Sequence, residues 1–242
     1  MTPTPDSPQT AYYDRTAAHY DAMQIIEGDE HTIALRYLDG ILHNTPVTSL
    51  LDVGCGTGRA LVHLRDRHPD MTLRGIEPVA AMIAVCRDKG LGDDQVQQGD
   101  ACALPFADDS FDYVCAFGVL HHIATPDIAL REICRVARKG VFVSDHNAYG
   151  WGGTRSRRIK NALRRLRLWP LFCRLHTRGK GYYDTDYDGI FYPFSLLDHV
   201  ALVQDSFPRA NFLTTKAYGP DLYRDTSHLA LHATTDRVDF LD

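Results

Sequence analysis

A short apolar run that ends in three alternating glycines, Leu50-Leu51-Asp52-Val53-Gly54-Cys55-Gly56-Thr57-Gly58-Arg59, allows few backbone solutions. Glycines tolerate positive φ and let a ligand approach the main chain closely. The pattern predicts a buried strand, a tight turn and a helix, with the turn at the carboxyl end of the strand, where open α/β sheets bind ligands. Two familiar phosphate loops are excluded. The dinucleotide fingerprint needs Gly or Ala where Arg59 stands, and a P-loop needs a Lys-Ser/Thr pair that does not follow.

The flanking sequence repeats the strand–helix alternation. Apolar runs at 49–53, 71–76, 96–98, 113–117 and 141–144 predict strands, and 58–68, 80–89 and 128–137 predict helices. Such alternation over residues 49–146 argues for βαβ units and a parallel sheet. A helix is expected over 29–43, before the first strand. After the alternation, 195–206 reads as a helix capped by Ser195 with Asp198 at the capping-box position. Runs at 211–216 and 227–234 predict an antiparallel hairpin at the sheet edge. Composition agrees with one globular domain: 242 residues, 44% hydrophobic and 24% charged, with net charge −5. Six cysteines without a CxxC pair indicate neither a zinc site nor a disulfide framework. With no apolar stretch near 18 residues and no signal-peptide pattern at the N-terminus, a cytoplasmic location is expected.

Three further features cluster at strand ends. Glu77, in Gly75-Ile76-Glu77-Pro78, ends the second strand and can accept from both hydroxyls of a ribose, with Pro78 suited to open the next helix. Asp100, in Gly99-Asp100-Ala101, follows the third strand and can accept from an exocyclic amine. Phe111 to His122 forms a strand that runs into a loop with paired histidines.

LDVGCGTG, GIEP, GDACALPFADDSFDYV and VLHHI, in this order, resemble class I S-adenosylmethionine-dependent methyltransferases, in the style of the small-molecule enzymes of quinone biosynthesis. The resemblance covers about residues 48–147; the segment Tyr12 to Asp21 also resembles the family's entry segment. It implies a Rossmann-like α/β fold with seven mostly parallel strands, the last antiparallel, and S-adenosylmethionine as cofactor. It further implies that Gly54, Cys55 and Gly56 line the methionine portion and that Asp52 orients the loop or reaches the ammonium through water. Glu77 then holds the ribose, Asp100 and Ala101 meet the adenine, and Phe117 and His122 lie near the amino-acid end. Tyr13 and Tyr20 close the site. Residues 1–45 become an N-terminal cap on the single domain.

Methyl transfer from a sulfonium needs alignment, a dry site and, for a hydroxyl acceptor, a base. His121 and His146 are the candidate bases, and Asp145 is a candidate orienter of His146 or a base itself. An amine acceptor needs no strong base, so oxygen and nitrogen acceptors both stay open, with carbon less favoured. No metal is expected.

Residues 148–192 interrupt the alternation and read as an inserted lid on the substrate side. Between Asp145 and Asp184 the chain has ten basic and no acidic residues, so this stretch is +10 and the remainder −15. Ile159, Ala162, Leu163 and Leu166 have helical spacing, which predicts an amphipathic basic helix. Three uses compete: a lid with its apolar face on the core, recognition of an anionic acceptor through Arg164 and Arg165, or docking to a membrane surface or nucleic acid. The Asp-x-Asp-x-Asp-Gly run from Asp184 mimics a calcium loop, but Ser195 occupies the position of the closing Glu. Tyr182, Tyr183, Tyr187 and Tyr192 instead suggest an aromatic pocket wall. The expected activity is methylation of a small-molecule hydroxyl. RNA methylation, a non-catalytic cofactor-binding subunit and a dehydrogenase are the rivals, and Arg59 speaks against the last.

Overall fold

The computed structural model describes residues 8–185 and 189–235. The chain opens with α1 (Pro8–Thr16), α2 (Tyr20–Gln24) and α3 (Glu30–His43). Asp29 caps α3 by accepting from the Thr32 amide at 2.5 Å, so the expected 29–43 helix is present. Next come β1 (Ser49–Val53), α4 (Arg59–Arg67), β2 (Thr72–Glu77), α5 (Ala80–Asp88), β3 (Val96–Gln98) and β4 (Phe111–Phe117). Then follow α6 (Pro126–Val136), β5 (Ala137–His146), α7 (Thr154–Arg165) and α8 (Trp169–His176). The chain continues with β6 (Tyr183–Thr185), β7 (Gly189–Phe191), α9 (Val200–Gln204), β8 (Arg209–Ala217), α10 (Leu222–Asp225) and β9 (Thr226–Thr234).

Seven strands form one sheet in the order β3-β2-β1-β4-β5-β9-β8; β6 and β7 pair separately. The four pairs from β3 to β5 are parallel, and β9 runs antiparallel to both β5 and β8. Leu50, Leu51, Val114 and Cys115 are fully buried because helices cover both faces of the parallel region. Strand order reverses between β1 and β4, and the crevice at their carboxyl ends is the topological switch point. Register then decides which side chains meet there. Asp52 lies opposite Cys115, Phe117 opposite Ser144, and His146 opposite His228.

Three local expectations are corrected. The 195–206 stretch splits into a 3₁₀ turn, Leu196–Asp198, and the short α9. Its capping box does not form, because the Ser195 hydroxyl donates to Asn147 Oδ1 (2.9 Å) and Asp198 accepts from the Tyr149 hydroxyl (2.6 Å). Pro78 does not open α5: Val79 is the extended N-cap residue, and the helix starts at Ala80. The basic helix α7 does not lay its apolar row on the core. Ile159 and Leu166 are 59% and 67% exposed, while Arg157, Lys160 and Arg164 turn inward.

Candidate functional site

The glycine turn has the conformation its sequence demands. Gly54, Gly56 and Gly58 have φ of 71°, 54° and 77°. A Cβ at Gly54 would sit 2.5 Å from Val119 Cγ2, whereas nothing lies within 4 Å of one at Gly56. The turn is thus packed on one side and open on the other. Arg59 pairs with Asp29 at 2.8 Å, fastening the turn to the start of α3. Thr57 donates to Asp21 at 2.5 Å, and Lys89 pairs with Asp21 and donates to the Thr57 carbonyl. These contacts tie α2 to the same turn.

A cavity of about 620 Å³ opens beside it. Its wall includes Tyr13, Tyr20, Asp52, Gly54, Cys55, Gly56, Phe117, His121, His122 and His146. A second cavity of about 100 Å³ is lined by Glu77, Pro78, Asp100 and Ala101 together with Ile76, Val79 and Met82. Tyr13, Tyr20, Gly54, Gly56, Phe117 and His122 stand in both walls.

The carboxyls are buried and hydrogen-bonded. Glu77 accepts from the Gly56 amide at 2.9 Å and the Val79 amide at 3.0 Å. Burial nevertheless pushes its pKa up to about 7. Asp52 accepts from the Cys115 thiol at 3.6 Å, and burial raises it to about 7 as well. A carboxylate offers about four lone-pair sites, so the two amides leave Glu77 room for a diol.

Asp145 does not orient the His146 ring. Its Oδ1 lies 2.7 Å from His121 Nδ1 and accepts from the His146 amide; its Oδ2 accepts from the Leu120 amide at 2.8 Å. Burial works to raise Asp145, but the His121 charge and these hydrogen bonds outweigh it and pull the pKa down. An ionised Asp145 holds a proton on His121 Nδ1, so in the neutral ring the basic lone pair lies on Nε2. His146 stacks on His121, ring centroids 4.0 Å apart, and its Nδ1 is buried without a partner. Burial, followed by the neighbouring histidines, holds His146 well below its ordinary pKa, so it stays neutral. Among the described residues, His121, Asp145 and His146 also lie close enough together to hold a cation. The three donors already on Asp145 make the arrangement that of a carboxylate–imidazole pair.

His122 is differently engaged. Its Nδ1 lies 2.7 Å from the Ile190 carbonyl and 3.0 Å from the Gln9 amide, and its Nε2 lies 2.9 Å from the Tyr13 hydroxyl. The Ile190 amide donates to Gln9 Oε1 at 2.5 Å. One imidazole therefore joins α1, the loop after β4 and the β6–β7 hairpin.

The expected substrate wall is arranged otherwise. Tyr183 stacks on Phe191, and Tyr182 contacts Tyr192, but Trp151 and Phe191 line the large cavity, stacked at 5.2 Å and 8°. Tyr187 lies outside the described residues. Arg164 sits 3.8 Å over the Tyr223 ring and Arg165 is exposed, neither at the cavity. Sequence reasoning missed Trp151, Phe191, Glu30, His31 and His228, all in the cavity wall. Only Trp151, placed just after a strand end, carried a usable signal.

Comparison with known proteins follows this geometry. Residues 51–144 match the methyltransferase-domain family. The ubiquinone/menaquinone biosynthesis C-methyltransferase UbiE of Paracoccus denitrificans is 33% identical over 162 residues, covering 57% of this chain and 64% of that protein. The chain thus spans slightly less than two thirds of that relative. A possible histamine N-methyltransferase of Thermotoga maritima superposes with TM-score 0.63 at 18% identity, covering 94% of this chain and all of the other. Phospholethanolamine N-methyltransferase 2 of Haemonchus contortus, solved with S-adenosylhomocysteine, gives 0.62 at 14% identity, covering 96% and 62%. These likenesses at low identity show the fold. The open glycine turn, buried Glu77 and the adjoining cavities fit an adenosyl group joined to an amino acid. Residues 51–144 thus match a methyltransferase domain, and the chain is similar to a quinone-biosynthesis C-methyltransferase in sequence and to S-adenosylmethionine-dependent methyltransferases in fold.

Proposed function

We propose that this chain methylates a hydroxyl of a small-molecule acceptor held in the large cavity, with His121 as base and Asp145 as its orienting partner. The observation that carries the reading is the buried Asp145–His121 pair, whose imidazole stands in the cavity wall beside the glycine turn. When bound, the cofactor supplies a methyl group already activated on a sulfonium. The chain supplies alignment, exclusion of water and a place for the acceptor's proton.

In this reading Glu77 takes the ribose hydroxyls and Asp100 the adenine amine, with Ala101 against the ring. Gly54, Cys55 and Gly56 line the methionine portion, and Asp52 faces its charged end. The described part of the 1–45 segment caps the site through Tyr13 and Tyr20, and the described part of 148–192 covers the acceptor through Trp151 and Phe191. His121 Nε2 accepts the hydroxyl proton as the oxygen attacks, and ionised Asp145 stabilises the resulting imidazolium. Neutral His146, stacked on that ring, adds no opposing charge. Arg59 and Lys216 in the wall are each paired with an acid, Asp29 and Glu30, so among the described residues the wall offers no unpaired cation that calls for an anionic acceptor.

A second reading has one observation in its favour. The flat Trp151–Phe191 stack suits a planar ring, and the same base would turn a ring hydroxyl into an oxyanion that activates an adjacent carbon. Transfer of labelled methyl into metabolite, lipid, RNA and protein fractions of a host extract tests the first step, and carbon NMR of the product separates oxygen from carbon attachment. His121→Gln should lower kcat by about 10²–10⁴-fold and leave cofactor affinity unchanged. An undiminished kcat would remove the base and favour an amine acceptor; label confined to RNA would overturn the small-molecule reading.

A further inference from the structure

Helix α7 is mounted with its polar row against the protein. Lys160 donates to the Ala148 and Trp151 carbonyls at 2.9 and 3.2 Å, and Arg164 lies over Tyr223. The apolar row faces solvent. Ile159, Leu166, Leu168, Leu171 and Leu175 are 59%, 67%, 44%, 57% and 71% exposed. They supply five of the ten large exposed hydrophobics among the described residues, within 17 positions of sequence. Exposed arginines alternate with them on α7 and α8, and no acid lies between Asp145 and Asp184.

We propose that α7 and α8 dock this protein on an anionic lipid surface. Leucines that enter the acyl boundary and arginines that stay at headgroup level are what such an interface selects. The charge distribution opposes the alternatives. Two copies joined through this face would bring two +10 segments together. Single-stranded nucleic acid is held by exposed aromatic platforms, and here the exposed side chains are aliphatic. The remaining −15 is repelled by anionic headgroups, which leaves this face as the one that approaches. Lys160 joins the docked helix to Trp151 at the cavity wall. The inference is independent of which acceptor atom is methylated.

Flotation of the full chain with phosphatidylcholine vesicles, with and without phosphatidylglycerol, tests it. Binding should be at least tenfold tighter to the anionic vesicles and should weaken with salt. Leu171→Ser/Leu175→Ser and, separately, Arg155→Glu/Arg158→Glu should each reduce it about tenfold, with thermal melts unchanged. Absence of binding by the wild-type chain to anionic vesicles would overturn the proposal. So would an equal affinity for neutral vesicles, RNA binding insensitive to the leucine pair, or a dimer in solution that the leucine pair dissolves.

Discussion

Glu77 meets two demands in one carboxyl. It holds the glycine turn by accepting the Gly56 amide, and it faces the smaller cavity. Burial raises its pKa to about 7, so before a ligand binds a large share is protonated near neutrality. Accepting from hydroxyls requires the ionised form. Cofactor binding should therefore release protons near pH 7, and affinity should fall by about tenfold between pH 8 and pH 6. Titration calorimetry in buffers of different ionisation enthalpy reads that release, and Glu77→Gln should reduce it while weakening binding by about 1–3 kcal/mol. Unchanged affinity in that variant would separate Glu77 from the ribose. Glu77 was legible because a glycine turn upstream fixed where its strand had to end. His31 and His228 were not legible. Each is an unremarkable residue in its own segment, and only the sheet register and the approach of α3 bring them to one wall.

At the scale of elements, the join after β5 is tightest at Asn147 and Gly150. Fully buried Asn147 donates to the Leu222, Tyr223 and Thr226 carbonyls and accepts from the Tyr149 amide and the Ser195 hydroxyl. One side chain thus pins β5 to α10, β9 and the turn before α9. Asn147→Ala should cost roughly 3–5 kcal/mol in denaturant unfolding, since it orphans several buried groups at once. At Gly150 a Cβ would fall 1.7 Å from the Thr226 carbonyl oxygen, whereas at Gly153 nothing lies within 4 Å. Gly150→Ala should therefore destabilise by more than about 3 kcal/mol, and Gly153→Ala should be neutral or stabilise by up to about 1 kcal/mol. Equal effects would mean that the join yields easily. Strands and their helices could be read because contiguous apolar runs and 3.6-residue spacing state an element's type. Spacing also located the apolar row of α7 but could not say which way it faces. That depends on Tyr149, Tyr223 and the Trp151 carbonyl, which sit on distant or unpatterned segments and draw the basic row inward.

For the whole molecule, the site is built from both ends of the chain. Residues of α1, the glycine turn, the loop after β4, the hairpin and β9 all contribute to the cavity walls. A ligand that binds only this assembled form stabilises all of it. With S-adenosylmethionine at 100 times its Kd, stability should rise by about 2.7 kcal/mol and Tm by roughly 5–10 °C in a thermal-shift assay. The increment should shrink from pH 8 to pH 6 as Glu77 takes up its proton; a shift independent of pH would contradict that assignment. Among the described residues, no helix is long and apolar enough to cross a membrane. The His122 contacts have a further consequence. Gln9 and Ile190 both meet that ring at Nδ1, Tyr13 meets it at Nε2, and Gln9 also accepts from the Ile190 amide. Two flaps are thus fastened by one pin and to each other. Lifting either one gives up hydrogen bonds that also hold the other, so the two segments stabilise each other over the cavity.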